Sequence, residues 1–155
     1  MNMNKQYIKT QMGTWEAIWS EQGLYELNFP KEDILASKPA DARERELEKQ
    51  LTAYCANQKY SFDSICVDFS DYTEFAVEVL KACRQIKHGC TSSYKGLAIQ
   101  VGRDKAYRAV GSIMSNNRTP IIIPCHRVLG SSGKLCGFAG GLDMKSSLLE
   151  MEASR

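Results

Sequence analysis

The chain has 155 residues, 43% of them apolar and 25% charged, which suits one globular domain or two small packed halves and excludes a disordered or fibrous chain. No apolar run is long enough to span a bilayer as a helix, and the polar start, residues 1–6, has no signal-peptide core. A cytoplasmic protein is therefore expected, or a nuclear one in a eukaryote, with no membrane partner and with its six cysteines reduced. The net charge of +2 is unevenly placed: residues 1–86 carry 10 basic and 14 acidic side chains, whereas residues 87–155 carry 10 and 4. Between Lys87 and Leu142 the single acid is Asp104, against eight bases, so the second half suits a polyanionic partner.

In chain order, Trp15–Trp19 and Leu24–Phe29 read as two strands of a hairpin around Ser20-Glu21-Gln22-Gly23. Pro39 precedes a helix over Asp41–Ala56, with Leu47, Leu51 and Tyr54 on one face. Ile65, Val67 and Phe69 alternate as a strand does. From Tyr72 the pattern turns helical: Phe75, Val79, Ala82 and Ile86 mark a face that is expected to stop at a His88-Gly89 cap. Thr91-Ser92-Ser93 offers N-cap chemistry for a helix over Tyr94–Val101, Gly102 breaks it, and a second helix is expected from about Asp104 to Met114. Two short helices around a glycine turn form a helix-turn-helix candidate. A proline-bounded apolar run, Pro120–Pro124, and a glycine-rich turn, Gly137–Gly141, precede a last helix over Leu142–Glu152. The expected class is α+β: an α/β unit with a small sheet over residues 1–71 and a mainly helical unit over residues 72–155.

Chemistry concentrates in Ile123-Pro124-Cys125-His126-Arg127-Val128. A free cysteine is only a few per cent thiolate at neutral pH and needs a base to act as a nucleophile. The chain has two histidines, His88 and His126, and the second adjoins Cys125. In an extended segment neighbouring side chains point apart, so direct contact between this pair is not expected from spacing. The cysteines at 55, 66, 83, 90, 125 and 136 contain no Cys-x-x-Cys pair, so no metal site is expected, and no phosphate-binding or dinucleotide motif calls for a cofactor.

Three blocks, Ser93-Tyr94-x-x-Leu97-Ala98, Arg108-Ala109-Val110-Gly111 with Asn117, and the segment Ile123–Val128, resemble the O6-alkylguanine-DNA alkyltransferases, also called methylated-DNA–protein-cysteine methyltransferases. Gly140-Gly141-Leu142, Lys145, Leu148-Leu149 and Glu152 continue the match, which covers residues 72–152 closely. The resemblance implies a winged-helix-like helix-turn-helix and a single irreversible transfer of an alkyl group from O6 of guanine to Cys125, without a cofactor. His126 would be the base, reached through a bridging water. Glu152 would orient its ring, Asn117 would hold the turn, and Tyr94 would donate to the departing guanine. The damaged base would be flipped out of the duplex, with Arg108 filling its place beside Ala109 on a helix in the minor groove. Ser93, Thr91, Lys105 and Arg118 are candidate phosphate contacts. Met114, Pro120, Val128, Phe138, Ala139 and Lys145 would line or support the base pocket; Phe138 and Ala139 stand where the family often has tyrosine and serine. The implied partner is double-stranded DNA carrying O6-alkylguanine, bound by a monomer. A lesion-binding relative without transfer, a cysteine hydrolase and a helix-turn-helix regulator are the competing readings.

Overall fold

The computed structural model describes residues 2–32, 34–133, 138 and 140–154. Its architecture is α+β, with five helices and two small sheets among the described residues. The chain divides into two units, Met1–Phe69 and Ser70–Arg155.

In the first unit, alternation sets an antiparallel sheet in the order β1 (Asn4–Thr10), β2 (Gly13–Ser20), β3 (Gly23–Lys31). Ile8, Trp15, Ala17, Trp19, Leu24 and Leu27 are buried. Helix α1 (Ala42–Cys55) starts where the Asp41 carboxylate accepts the Glu44 N–H, and it buries Leu47, Leu51 and Tyr54. Each such apolar side chain contributes about 2 kcal/mol. Strand β1 is absent from the sequence reading because a polar residue, Gln6, occupies one of its buried positions. Its amide donates to the Glu44 carbonyl at 2.7 Å and accepts from the Trp19 indole at 2.9 Å, satisfying a group that would otherwise be costly to bury. The expected strand over Ile65–Phe69 does not form. Val67 makes one isolated parallel bridge to Leu24, closed by Leu24 N–H to Cys66 O and Asp68 N–H to Leu24 O, each 2.8 Å. Gly23 permits this approach: its φ is +146°, and a Cβ there would lie 2.6 Å from the Cys66 carbonyl oxygen.

In the second unit, α2 (Glu74–Arg84) begins at a Thr73 cap. It ends four residues before the expected glycine stop, because Gln85 and Ile86 turn back onto the Ala82 and Cys83 carbonyls; Gly89 instead lies in a separate turn in which Cys90 N–H meets Lys87 O. Strand β4 (Ser92–Ser93) leads into α3 (Tyr94–Gln100), capped by the Ser93 hydroxyl accepting Gly96 N–H at 2.8 Å. The helix closes with Gly102 at φ +79°, Arg103 N–H reaching Ala98 O and Gly102 N–H reaching Ile99 O, the paired bonds of a Schellman ending. Helix α4 (Tyr107–Ser115) starts later than expected, after an Arg103–Ala106 turn, and has no side-chain cap. Leu97, Ala98, Val110 and Met114 of this helix pair are buried, as are Val79, Leu80 and Cys83 of α2. Strand β5 (Val128–Leu129) pairs parallel with β4, Ser92 opposite Val128 and Ser93 opposite Leu129, and α5 (Leu142–Ala153) completes the unit. The β4–β5 ladder fixes the start of the helix-turn-helix to the residues just after Cys125.

Of the glycine-rich turn expected over Gly137–Gly141, Gly137 and Ala139 lie outside the described residues, as does Cys136. Among the described residues no helix is long and apolar enough to cross a membrane, and Cys55, Cys66, Cys83, Cys90 and Cys125 carry free thiols.

Candidate active site

The segment holding Cys125 is buried without interruption from Thr119 to Val128. Backbone groups so placed need internal partners, and Asn117 supplies several. Its amide nitrogen donates to the Ile123 carbonyl at 2.9 Å, while its carbonyl oxygen accepts from the Thr119 N–H at 3.1 Å and from the Thr119 hydroxyl at 3.4 Å. Ile123 N–H bonds Thr119 O, and Cys125 N–H bonds Ile123 O at 2.8 Å. Within this loop Ile121 has φ +74°, a left-handed conformation costing a β-branched residue about 1–3 kcal/mol. The surrounding bonds hold that strain in place.

Cys125–Arg127 is a turn of 3-10 helix, not the extended segment expected. Arg127 N–H bonds the Pro124 carbonyl at 2.9 Å, and the turn passes directly into β5. Burial of Cys125 pushes its thiol above the ordinary cysteine range. The Asn117 side chain, the Lys145 charge and the backbone N–H groups of Cys125 and His126 oppose that rise by favouring the thiolate. The resting group is therefore a thiol with donors already arranged around its sulfur.

His126 is fully buried, and its Nε2 lies 2.6 Å from Glu152 Oε2. Its Nδ1 is buried with no hydrogen-bond partner among the described residues. Burial holds the imidazole below its usual range; Glu152 pushes the other way, and the charges of Arg127 and Lys145 add to the lowering. A neutral ring facing an ionised carboxylate donates from Nε2, which leaves a lone pair on Nδ1. Thiol and neutral imidazole thus form the ground state, with the carboxylate ready to receive the charge that proton transfer creates.

Glu152 is equally enclosed. Arg127 Nε donates to its Oε1 at 2.8 Å and Nη2 donates to its Oε2 at 3.1 Å, while Nη1 reaches the Ile86 carbonyl at 2.6 Å. No role for Arg127 is evident in the sequence. The available signal is a charged residue inside the apolar run 121–128, where an arginine needs a partner to be buried. Lys145, 1% exposed, donates to the Val128 carbonyl at 2.8 Å. It thereby acts on the backbone just beyond the cysteine as well as through its charge.

The remaining predicted residues separate into two sets. Met114, Pro120 and Val128 are buried, and Phe138 is half-buried; Ala139 lies outside the described residues. Thr91, Lys105, Arg108 and Ala109 are exposed. Ser93 is occupied as the α3 cap, although its hydroxyl proton remains able to donate outward. Arg118 is turned inward: its guanidinium donates to the Ser70 carbonyl at 2.8 Å and lies 4.1 Å from the centre of the Tyr72 ring, and its N–H bonds the Tyr72 hydroxyl. Those contacts hold the loop before Pro120. Tyr94, at the first position of α3, lines a cavity of ≈ 690 Å³ together with Ser93, Lys95, Tyr107, Leu129 and Ser131. Tyr107 has no assigned role in the sequence reading; its exposed ring on a basic helix face is the feature that marks it.

The family model for 6-O-methylguanine DNA methyltransferase, DNA binding domain, matches residues 74–154. A Methanosarcina barkeri protein named methylated-DNA–protein-cysteine methyltransferase is 43% identical over 152 residues, covering 94% of this chain and 94% of its own length. The crystal structure of Mycobacterium tuberculosis OGT in complex with DNA is 35% identical with a TM-score of 0.80, covering 97% of this chain and 92% of that one. An O6-methylguanine DNA methyltransferase from Methanococcus jannaschii is 26% identical with a TM-score of 0.68, covering 96% and 93%.

Proposed function

The chain belongs to the 6-O-methylguanine DNA methyltransferase family, and from that premise we propose that it repairs DNA by direct reversal, moving the alkyl group of O6-alkylguanine onto Cys125. The observation that carries the proposal is the buried array in which Cys125 adjoins a neutral His126 whose Nε2 meets Glu152 at 2.6 Å.

The reaction is one displacement. The Cys125 sulfur pair attacks the alkyl carbon, the carbon–O6 bond breaks with its electrons on oxygen, and a thioether remains. The thiol proton passes to Nδ1 of His126 through one water, and the imidazolium is held by Glu152. The guanine anion takes up a proton at N1 from water, with Tyr94 donating a hydrogen bond to the ring as charge develops there, and the imidazolium returns the thiol proton to water, which closes the balance. Asn117 and the backbone N–H groups around Sγ stabilise the thiolate as it forms. A thioether has no ready leaving reaction, so each protein molecule acts once.

O6 of guanine is inaccessible within a stacked duplex, so the base must be flipped out. The exposed face of α4 is suited to that task. Arg108 enters the stack, Ala109 allows close approach, and Lys105 and Thr91 contact phosphates, with Met114, Pro120, Val128 and Phe138 forming the pocket around the base. The protein acts as a monomer on double-stranded DNA, in the cytoplasm or in the nucleus of a eukaryote.

The experiment is incubation with duplex DNA containing O6-methylguanine, followed by peptide mass spectrometry. One methyl group on Cys125, absent from Cys125→Ser, is the expected result. Tight binding without transfer would identify an inert lesion-binding protein, and neither binding nor transfer would overturn the assignment.

A further inference from the structure

We propose that Arg127 is a positioning residue for the transfer reaction: its guanidinium clamps Glu152 so that the carboxylate offers a fixed oxygen to Nε2 of His126, leaving Nδ1 as the basic atom of the ring. The reaction itself rests on the function proposed above; the clamp and the tautomer do not.

Three bonds fix the guanidinium plane: Nε to Oε1 of Glu152, Nη2 to Oε2, and Nη1 to the Ile86 carbonyl. The planar fork of arginine matches a carboxylate in two parallel bonds, which a lysine ammonium cannot reproduce. Oε2 is consequently shared between Arg127 and His126, and the direction from which the imidazole is met is set by the clamp. A carboxylate held by a permanent cation accepts and does not donate, so the bond to His126 requires the proton on Nε2. The Ile86 anchor ties the clamp to the turn after α2, independently of α5.

The charged and titratable groups around His126 come from three elements. Glu152 and Lys145 project from α5, Arg127 and Cys125 flank it on its own turn, and Cys83 of α2 faces Cys125, Arg127 and Lys145. Among them Glu152 favours the imidazolium, whereas Arg127 and Lys145 oppose it along with burial. Removing the Arg127 charge while leaving Glu152 in place therefore raises the proton affinity of His126. The ring then takes up its proton at a higher pH than in the unmodified protein, although burial and Lys145 still oppose the charge.

The chain has two histidines, so their ring nitrogens are readily followed by NMR in the whole protein, with His126 assigned by its loss in His126→Ala. In the unmodified protein His126 is expected to be neutral at neutral pH with its proton on Nε2, burial holding its midpoint below that of an ordinary imidazole. In Arg127→Met its midpoint should rise by about one pH unit or more. The acid limb of the rate of transfer from free O6-benzylguanine should move up with it, a change of about tenfold in rate on that limb. Glu152→Gln should move both midpoints the opposite way. Arg127→Lys, retaining charge without the fork, should leave the midpoint nearly in place and lower the plateau rate. A proton on Nδ1 in the unmodified protein would overturn the proposal, as would a folded Arg127→Met that titrates unchanged. If Arg127→Met fails to fold, the wild-type tautomer and Arg127→Lys decide the matter. Loss of the proposed alkyl transfer in the unmodified protein would be seen separately, because the NMR titration needs no substrate.

Discussion

The array around Cys125 and the outer face of α4 occupy the same unit but are ordered in opposite ways. In the array, each charged side chain is enclosed and held: Arg127 on Glu152 and Ile86, Glu152 on His126, and Lys145 on Val128. On and just before α4, Lys105 and Arg108 are exposed, and neither has a hydrogen-bond or ion-pair partner among the described residues. The difference separates two functional demands. Proton transfer requires groups oriented in advance, since reorganisation at the moment of reaction is costly. Binding a phosphate backbone requires cations whose partner comes from outside and displaces loosely held counterions. If this division holds, damage to the array should affect every substrate alike, and damage to α4 should affect only substrates that include a duplex.

Cys125→Ser gives the largest effect. It should abolish transfer from methylated duplex and from free O6-benzylguanine alike, with duplex binding retained in a gel-shift or anisotropy assay. His126→Ala comes next. Loss of a positioned base costs about 10²–10⁴ in rate, and the loss should be equal for both substrates in single-turnover measurements near neutral pH. The pH dependence should change as well. With His126 neutral through the neutral range and the Cys125 thiol held above its ordinary range, the wild-type rate should be nearly flat there. It should fall only below the usual imidazole midpoint, where His126 becomes charged. Without the base the rate should follow the thiolate fraction and climb about tenfold per pH unit until the raised thiol midpoint is reached. A flat profile in His126→Ala would remove the imidazole from the mechanism.

The two regions also differ in how far the sequence reveals them. The helix pair is legible locally: Ser93 caps α3, Gly102 ends it, and Leu97, Ala98, Val110 and Met114 mark the buried side. The array is legible only through resemblance, because its geometry depends on Glu152 arriving from 26 residues away and Arg127 from a turn whose backbone is set by Asn117. Periodicity carries no information about a buried ion pair, and the strained φ of Ile121 runs against the preference of a β-branched residue. The missed strand β1 has a related cause: Gln6 is a core residue by virtue of two hydrogen bonds, which a hydrophobic pattern does not register. Arg118 has contacts that its place in the sequence does not announce. Its charge suggests a phosphate contact, whereas its guanidinium is engaged with Ser70 and Tyr72.

Arg108→Ala tests the α4 side with a smaller effect. Filling the space of a flipped base offsets part of the unstacking cost, a few kcal/mol, so repair of a methylated duplex should slow by about tenfold or more. Transfer from free O6-benzylguanine, which needs no flipping, should be unchanged. Equal losses on the two substrates would show that α4 supports the array structurally, and the division between the regions would fail.

Lys105→Ala should be the mildest. A side chain that contacts one phosphate contributes a counterion-release increment, so its removal should reduce the slope of log affinity against log salt by about one. The affinity loss should be nearly the same for methylated and unmethylated duplex, because a phosphate contact carries no information about the base. Transfer from free O6-benzylguanine should remain at the wild-type rate at every salt concentration. An unchanged slope would place Lys105 off the DNA path and narrow the contact surface to Arg108 and the cavity edge at Tyr94 and Tyr107. A changed slope accompanied by slower free-base transfer would mean that the exposed cation reaches the buried array through the fold. That outcome would break the comparison, since the two regions would no longer be separable by substrate.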